Sequence, residues 1–160
     1  MMRTLALIAA LLVPLAAAGP AAAQSSTSKE VNITADRMEI LDAEKRAIFT
    51  GKVDAKRADV RLTSDKLVAI YSEVKQTDGS SKNEVTRLEA EGNVTIVTAK
   101  QTITGQWAKM DVKADKLEVG GKVKVVQGQT ILQGELLNVD LTADRSEMTG
   151  GRVKGSFVPQ

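Results

Sequence analysis

Three sets of side chains in this sequence have the types and spacing to attempt chemistry. The first is a set of aspartates beside basic residues: Ala35-Asp36-Arg37, Ser64-Asp65-Lys66, Ala114-Asp115-Lys116 and Ala143-Asp144-Arg145. Carboxylates can hold metals or work in pairs on glycosidic bonds, as Glu89, Glu91 and Asp111 would have to do. The second is a set of glycines, in Gly51-Lys52-Val53, Gly92-Asn93-Val94, Gly121-Lys122-Val123 and Gly151-Arg152-Val153. A Gly-Lys pair can belong to a phosphate loop, but Gly121-Lys122 lacks that motif's earlier glycine and its following Ser or Thr. The third is a basic cluster, Lys52, Lys56, Arg57 and Arg61, able to meet an anion.

Around these sets the reagents of catalysis are missing. The 160 residues contain no histidine and no cysteine. That removes Ser-His-Asp and Cys-His machinery, thiol nucleophiles, disulfides and thiolate–zinc sites. Only four aromatics occur, Phe49, Tyr71, Trp107 and Phe157, too few to stack bases or sugars. The formal net charge of +2 gives no field for nucleic acid. Four aspartates at separate turns make a poor metal cage, so neither metal nor other cofactor is expected. What remains is aliphatic, within a hydrophobic fraction of 42%.

The elements that must position these residues follow from the pattern. Met1 to Ala23 reads as a cleaved secretory signal: Arg3, an apolar stretch Leu5 to Val13, then Ala21-Ala22-Ala23 as the cleavage site. Residues 24 to 30 read as a short flexible linker, and residues 31 to 160 as one domain. From Val31 onward, apolar and polar residues alternate with period two, in stretches rich in Val, Thr and Ile. No stripe of helical period appears, so the class is all-β.

The parity of the alternation flips at each Asp-Lys/Arg pair. Val60 and Leu62 precede Asp65 by five and three positions, while Leu67 and Ala69 follow it by two and four. A two-residue reversal or a sharp corner does this, and Asp suits both because its side chain bonds nearby N–H groups. The alternation runs straight through the first three of these glycines, which places them inside strands, where they permit a bend or a close backbone approach. Starting at Gly92 and Gly121, 8 of 29 positions are identical, including Asp111/Asp140, Ala114/Ala143 and Asp115/Asp144. Such a repeat points to units that bury one apolar face against their neighbours. The longer step from Gly51 to Gly92 is expected to hold a loop within Gln76 to Glu84.

Together these marks resemble the LptA/OstA family of periplasmic lipopolysaccharide-transport proteins. Phe49-Thr50-Gly51-Lys52-Val53 resembles that family's T-G-N-V strand, and Ser64-Asp65-Lys66-Leu67 its A-D-K-V corner. Ile103-Thr104-Gly105-Gln106-Trp107-Ala108 resembles its V-E-G-x-x-A segment, and Phe157-Val158-Pro159-Gln160 its V-P-x-Q tail. The resemblance implies an open, twisted, V-shaped jellyroll of antiparallel strands with an apolar cleft for lipid A acyl chains. It implies head-to-tail oligomers, an inner-membrane-anchored partner at the N-terminal edge and an outer-membrane translocon at the C-terminal edge. It implies a periplasmic protein that catalyses nothing itself. The sequence departs from the family at Val112, where Tyr is common, and near Ile96, where Phe is common.

On this reading Val31, Ile33, Phe49, Val53, Leu62, Val94, Ile96, Trp107, Val112 and Leu137 face the cleft. Lys52, Lys56, Arg57 and Arg61 form a head-group rim. Edge strands that could add to a partner carry Val31, Ile33 and Ala35 at one end and Val153, Phe157 and Val158 at the other. The alternatives are a structural β-solenoid without lipid, a carbohydrate-handling β-protein, and the membrane-anchored member of the same family, which would keep its signal.

Overall fold

The computed structural model describes residues 30 to 159, so the expected signal peptide and residues 24 to 29 lie outside the described residues. Ten strands form one antiparallel sheet: β1 (Asn32–Thr34), β2 (Arg37–Leu41), β3 (Arg46–Arg57), β4 (Val60–Lys75), β5 (Ser81–Val97), β6 (Thr102–Asp111), β7 (Lys116–Gln127), β8 (Thr130–Asp140), β9 (Arg145–Thr149) and β10 (Lys154–Ser156). The order is β1-β3-β4-β5-β6-β7-β8-β10, with β2 also on β3 and β9 also on β8. β1 and β2 are thus two halves of one edge position, and β10 and β9 two halves of the other. The sheet does not close. A 3-10 turn, Asp42–Glu44, leads from β2 into β3.

A seam of bulges crosses the whole sheet. In β3, Gly51 and Lys52 together oppose the single residue Asp65 of β4, because Thr50 pairs with Lys66 and Val53 with Ser64. Gly92-Asn93 of β5 and Gly121-Lys122 of β7 repeat the arrangement opposite Gln106 and Glu135. Two residues against one bend and twist a strand. Gly51 and Gly92 have φ of 79° and 81°, and their followers Lys52 and Asn93 are left-handed too, both at 46°. A side chain at Gly51 would also strike Asp36, since its Cβ would lie 2.6 Å from the Asp36 carboxylate; at Gly92 the distance to Asp65 is 2.5 Å. Conformation and space both demand glycine there.

The four Asp-Lys/Arg pairs therefore divide into two kinds. Asp36 and Asp65 are corners on the seam. Asp115 and Asp144 are left-handed residues, φ 53° and 52°, in the turns joining β6 to β7 and β8 to β9. The carboxylates that tie those turns lie four residues earlier. Asp111 Oδ1 accepts the N–H groups of Lys113 and Ala114 at 3.0 and 2.9 Å. Asp140 Oδ1 accepts those of Thr142 and Ala143 at 3.1 and 2.9 Å. The surplus between Gly51 and Gly92 is also corrected. It is mostly strand, since Tyr71–Lys75 pairs with Ser81–Val85 as a ribbon and only Gln76–Ser80 turns. The ribbon outruns β3 and β6, whose pairing stops at Ile70 and Arg87.

On either side of the seam the sheet folds over on itself. Inward-facing aliphatics of both halves form one core, with Val53, Leu67, Val94, Ile96, Ile103, Val119, Val123 and Leu137 all but inaccessible. The opposite face carries charge in cross-strand rows. Arg87, Asp111, Lys116, Asp140 and Arg145 are successive partners across β5 to β9. Alternating sign makes each neighbour in that row attractive.

Candidate functional site

Seven of the residues expected in the cleft lie in the buried core: Phe49, Val53, Leu62, Val94, Ile96, Val112 and Leu137, none more than 9% exposed. Val31 and Ile33 are half-buried against the same cluster. Trp107 does not join them. It stands on the outer face of β6 beside Lys109, while Ala108 and Met110 of the same strand point inward. The reason is the seam. Gln106 is the single residue opposite Gly92-Asn93, and parity flips there as it does at Asp65. Trp107 lies across Gly120, where a Cβ would come within 2.1 Å of the ring, and Lys109 Nζ sits 5.5 Å from the ring centroid. An aromatic side chain fills the gap that a strand glycine leaves.

The interior opens along one side. There a cleft of about 850 Å³ lies between the turns of the two halves. Val60, Val125, Leu132, Leu137, Val139 and Leu141 give it apolar walls. Two ion pairs cross its mouth. Arg57, at the end of β3, donates from Nη1 to Asp115 Oδ1 at 2.7 Å, and from Nη2 to the Val112 carbonyl at 3.4 Å. Lys100, in the turn between β5 and β6, pairs with Asp144. The Arg57 side chain is only 13% exposed, and its buried Nε has no hydrogen-bond partner among the described residues.

The expected basic rim is otherwise dispersed. Adjacent strand residues point to opposite faces, so Lys56 and Arg57 part company. Lys52 is the exposed left-handed residue of the seam. Lys56 and Arg61 face each other on the outer side of β3 and β4. Arg61 grips Asp54 with two hydrogen bonds, 3.0 and 2.7 Å, and that contact holds the Asp54 carboxyl below its ordinary value. A second hollow, about 570 Å³, lies over the charged rows, lined by Arg87, Lys109, Asp111, Lys116, Asp140 and Arg145 among others. Its cations already face carboxylates across the strands.

Comparison with known proteins places this architecture. The family model for the LptA protein and the LptD N-terminal domain, described as lipopolysaccharide transport protein, matches residues 32–145. The chain belongs to this family. Its fold is similar to that in the crystal structure of LptH, the LptA-homologous periplasmic component of the lipopolysaccharide transport device of Pseudomonas aeruginosa. The TM-score is 0.70 at 14% identity, over 84% of this chain and 99% of that one. The chain is also 28% identical over 83 residues to an uncharacterized protein of Rhizobium meliloti (strain 1021), spanning 52% of this chain and 45% of that relative.

The ends of this LptA-type sheet differ from the expected edge strands. At the first edge, β1 is Asn32–Thr34, and Ile33 and Ala35 pack on the core. The same edge continues as β2, whose Met38 and Ile40 pair with Phe49 and Ala47 yet are 56% and 52% exposed. At the last edge the strand is only Lys154–Ser156, and it includes none of the expected edge residues Val153, Phe157 and Val158. Val153 and Val158 flank it, and Phe157 is 69% exposed. Met38 and Ile40 lie two and four positions after Asp36, a spacing that does not by itself assign them to an edge. Lys100, Asp115 and Asp144 were not expected as members of a mouth; the recurrence of Asp115 at Asp144 was the available signal.

Proposed function

We propose that this chain works in the periplasm, sheltering the acyl chains of lipopolysaccharide between the two halves of its sheet and catalysing nothing itself. One observation carries the reading. An apolar interior runs across an unclosed sheet, and exposed apolar side chains stand at both of its edges, Met38 and Ile40 at one and Val153, Phe157 and Val158 at the other. A self-sufficient domain blunts such edges. A continuous apolar track whose ends await a further strand suits copies joined head to tail, β10 of one beside β1 of the next. It equally suits an inner-membrane-anchored partner at the first edge and an outer-membrane translocon at the last.

Aliphatic walls suit a ligand that must slide. Each methylene moved from water into them stabilises by about 0.8 kcal/mol, and such contacts impose little geometry. Family membership supports lipopolysaccharide as the cargo, and the likeness to LptH, a periplasmic component, supports the compartment. Photo-crosslinkers at Ile33, Ile96 and Val112, in cells making lipopolysaccharide, test the reading. Adducts at these inward positions and none at exposed Lys113 are expected. Adducts only at Lys113 would refute it.

A further inference from the structure

Acyl chains can enter this interior only if its walls part, because the core residues are in contact with one another and shut off from solvent. On the open side two ion pairs span the mouth. Both join a turn on one side of the seam to a turn on the other. Arg57 begins the β3–β4 turn and Asp115 ends the β6–β7 turn; Lys100 is in the β5–β6 turn and Asp144 in the β8–β9 turn. Each link therefore advances three strands, and the two aspartates occupy equivalent places in the 29-residue repeat. The third turn of the same row, at Gly128 and Gln129, would need a turn three strands on, after β10, the last described strand. It carries no charge.

We propose that Arg57–Asp115 and Lys100–Asp144 are latches across the mouth, opened by exchange. The anionic head group of a phosphorylated amphiphile takes the two cations from the aspartates, and its alkyl chain passes between the released walls. This rests on the interior being the lipid site. Three features support it. Both cations line the 850 Å³ cleft together with Val125, Leu132 and Leu141. Arg57 retains a buried, unused Nε, so its donors are not exhausted by Asp115 and Val112. A phosphate accepts a guanidinium as a carboxylate does, so exchange keeps both cations paired, and the released carboxylates of Asp115 and Asp144, already 35% and 72% exposed, are taken over by water.

The chain has no cysteine, so a pair of introduced thiols can be spin-labelled uniquely. Labels at Asp59→Cys with Lys113→Cys, and separately at Ala99→Cys with Thr142→Cys, report the width of the mouth beside each latch. Asn tolerates the left-handed backbone of Asp115 and Asp144, so D115N/D144N removes the charge and keeps the turns. The double variant should show a second, wider distance population. It should also take up dodecyl phosphate about two- to fivefold faster, the range expected for losing such ion pairs. In the unsubstituted latch, dodecyl phosphate should widen the mouth and dodecyl maltoside should not. R57Q/K100Q should lose that distinction.

Unchanged distances in D115N/D144N would overturn the latch. Equal widening by the phosphate and the maltoside would overturn the exchange. Uptake of both amphiphiles without any widening would leave the lipid site standing and refute the latch alone. Widening in D115N/D144N with uptake of neither amphiphile would refute the exchange together with the lipid reading.

Discussion

The two edges of the sheet are built from the same elements and held in different ways. At the first edge, Val31, Ile33 and Ala35 lean on the core, and the Asp36 N–H donates to the Gly51 carbonyl at 2.9 Å. At the last edge, all three residues of β10 are exposed, and neither flanking Val153 nor Phe157 belongs to the core. The seam shows the same contrast. Gly51 lies beneath Asp36, whereas Gly151 has nothing nearer to a would-be Cβ than Glu135 Cγ at 3.5 Å. One edge is locked into its own chain, and the other is held by a short ladder to β8. A head-to-tail joint would then bring a loosely held strand to a rigid template, the usual division of roles in strand addition.

The largest test of that contrast is at the seam. Gly51→Ala combines left-handed strain with a clash against Asp36, and should cost about 3 kcal/mol in urea unfolding of dilute protein. Gly151→Ala carries strain alone and should cost about 1 kcal/mol. Equal losses would mean that the two edges are equally locked. Next in size is the pair Ile33→Ala and Phe157→Ala. The first removes a half-buried side chain from the core and should cost about 1–2 kcal/mol. The second, on an exposed ring, should stay within about 0.5 kcal/mol.

Association should reverse that ranking in selectivity. Phe157→Ala should weaken self-association about tenfold in sedimentation while leaving unfolding unchanged, since burying such a ring in a joint is worth 1.5–3 kcal/mol at about full coverage. Ile33→Ala should disturb both measurements. A Phe157→Ala protein that associates like its parent would detach the last edge from the joint.

The same edges show what the sequence made legible. Alternation from Val31 to Ala35 placed the first strand, while the parity flip at Asp65 marked a break without deciding between a reversal and the corner that the continuous β4 makes there. The flip at Gln106 was hidden because a glutamine stands where β4 has an aspartate, and Trp107 was carried to the wrong face. Gln106 aligns with Glu135 in the 29-residue repeat, and each sits opposite a left-handed pair that begins with glycine, Gly92-Asn93 or Gly121-Lys122. The rim was misread for a related reason. Lys56 and Arg57 are neighbours in sequence and opposites on a strand. The partners of Arg57 and Lys100 could not be read at all, because each link depends on how far the folded sheet twists over three strands.

The smallest expected effect lies between the edges, at the turn from β6 to β7. Asp111 is held below its ordinary carboxyl value, first by the Ala114 N–H and then by that of Lys113, with Arg87 and Lys113 adding charge. Its folded pKa is thus lower than the unfolded value of about 3.9. The turn's contribution is therefore complete above that unfolded value and is lost as pH falls through the folded one. Asp111→Asn keeps the shape and removes the titration. Its stability should be lower than the parent's near neutral pH, and the gap should close on acidification below about pH 4. Both edges lie outside this turn, so the Phe157 association step should not follow the Asp111 titration. A gap that stayed constant down to pH 2 would show that Asp111 contributes through shape rather than charge.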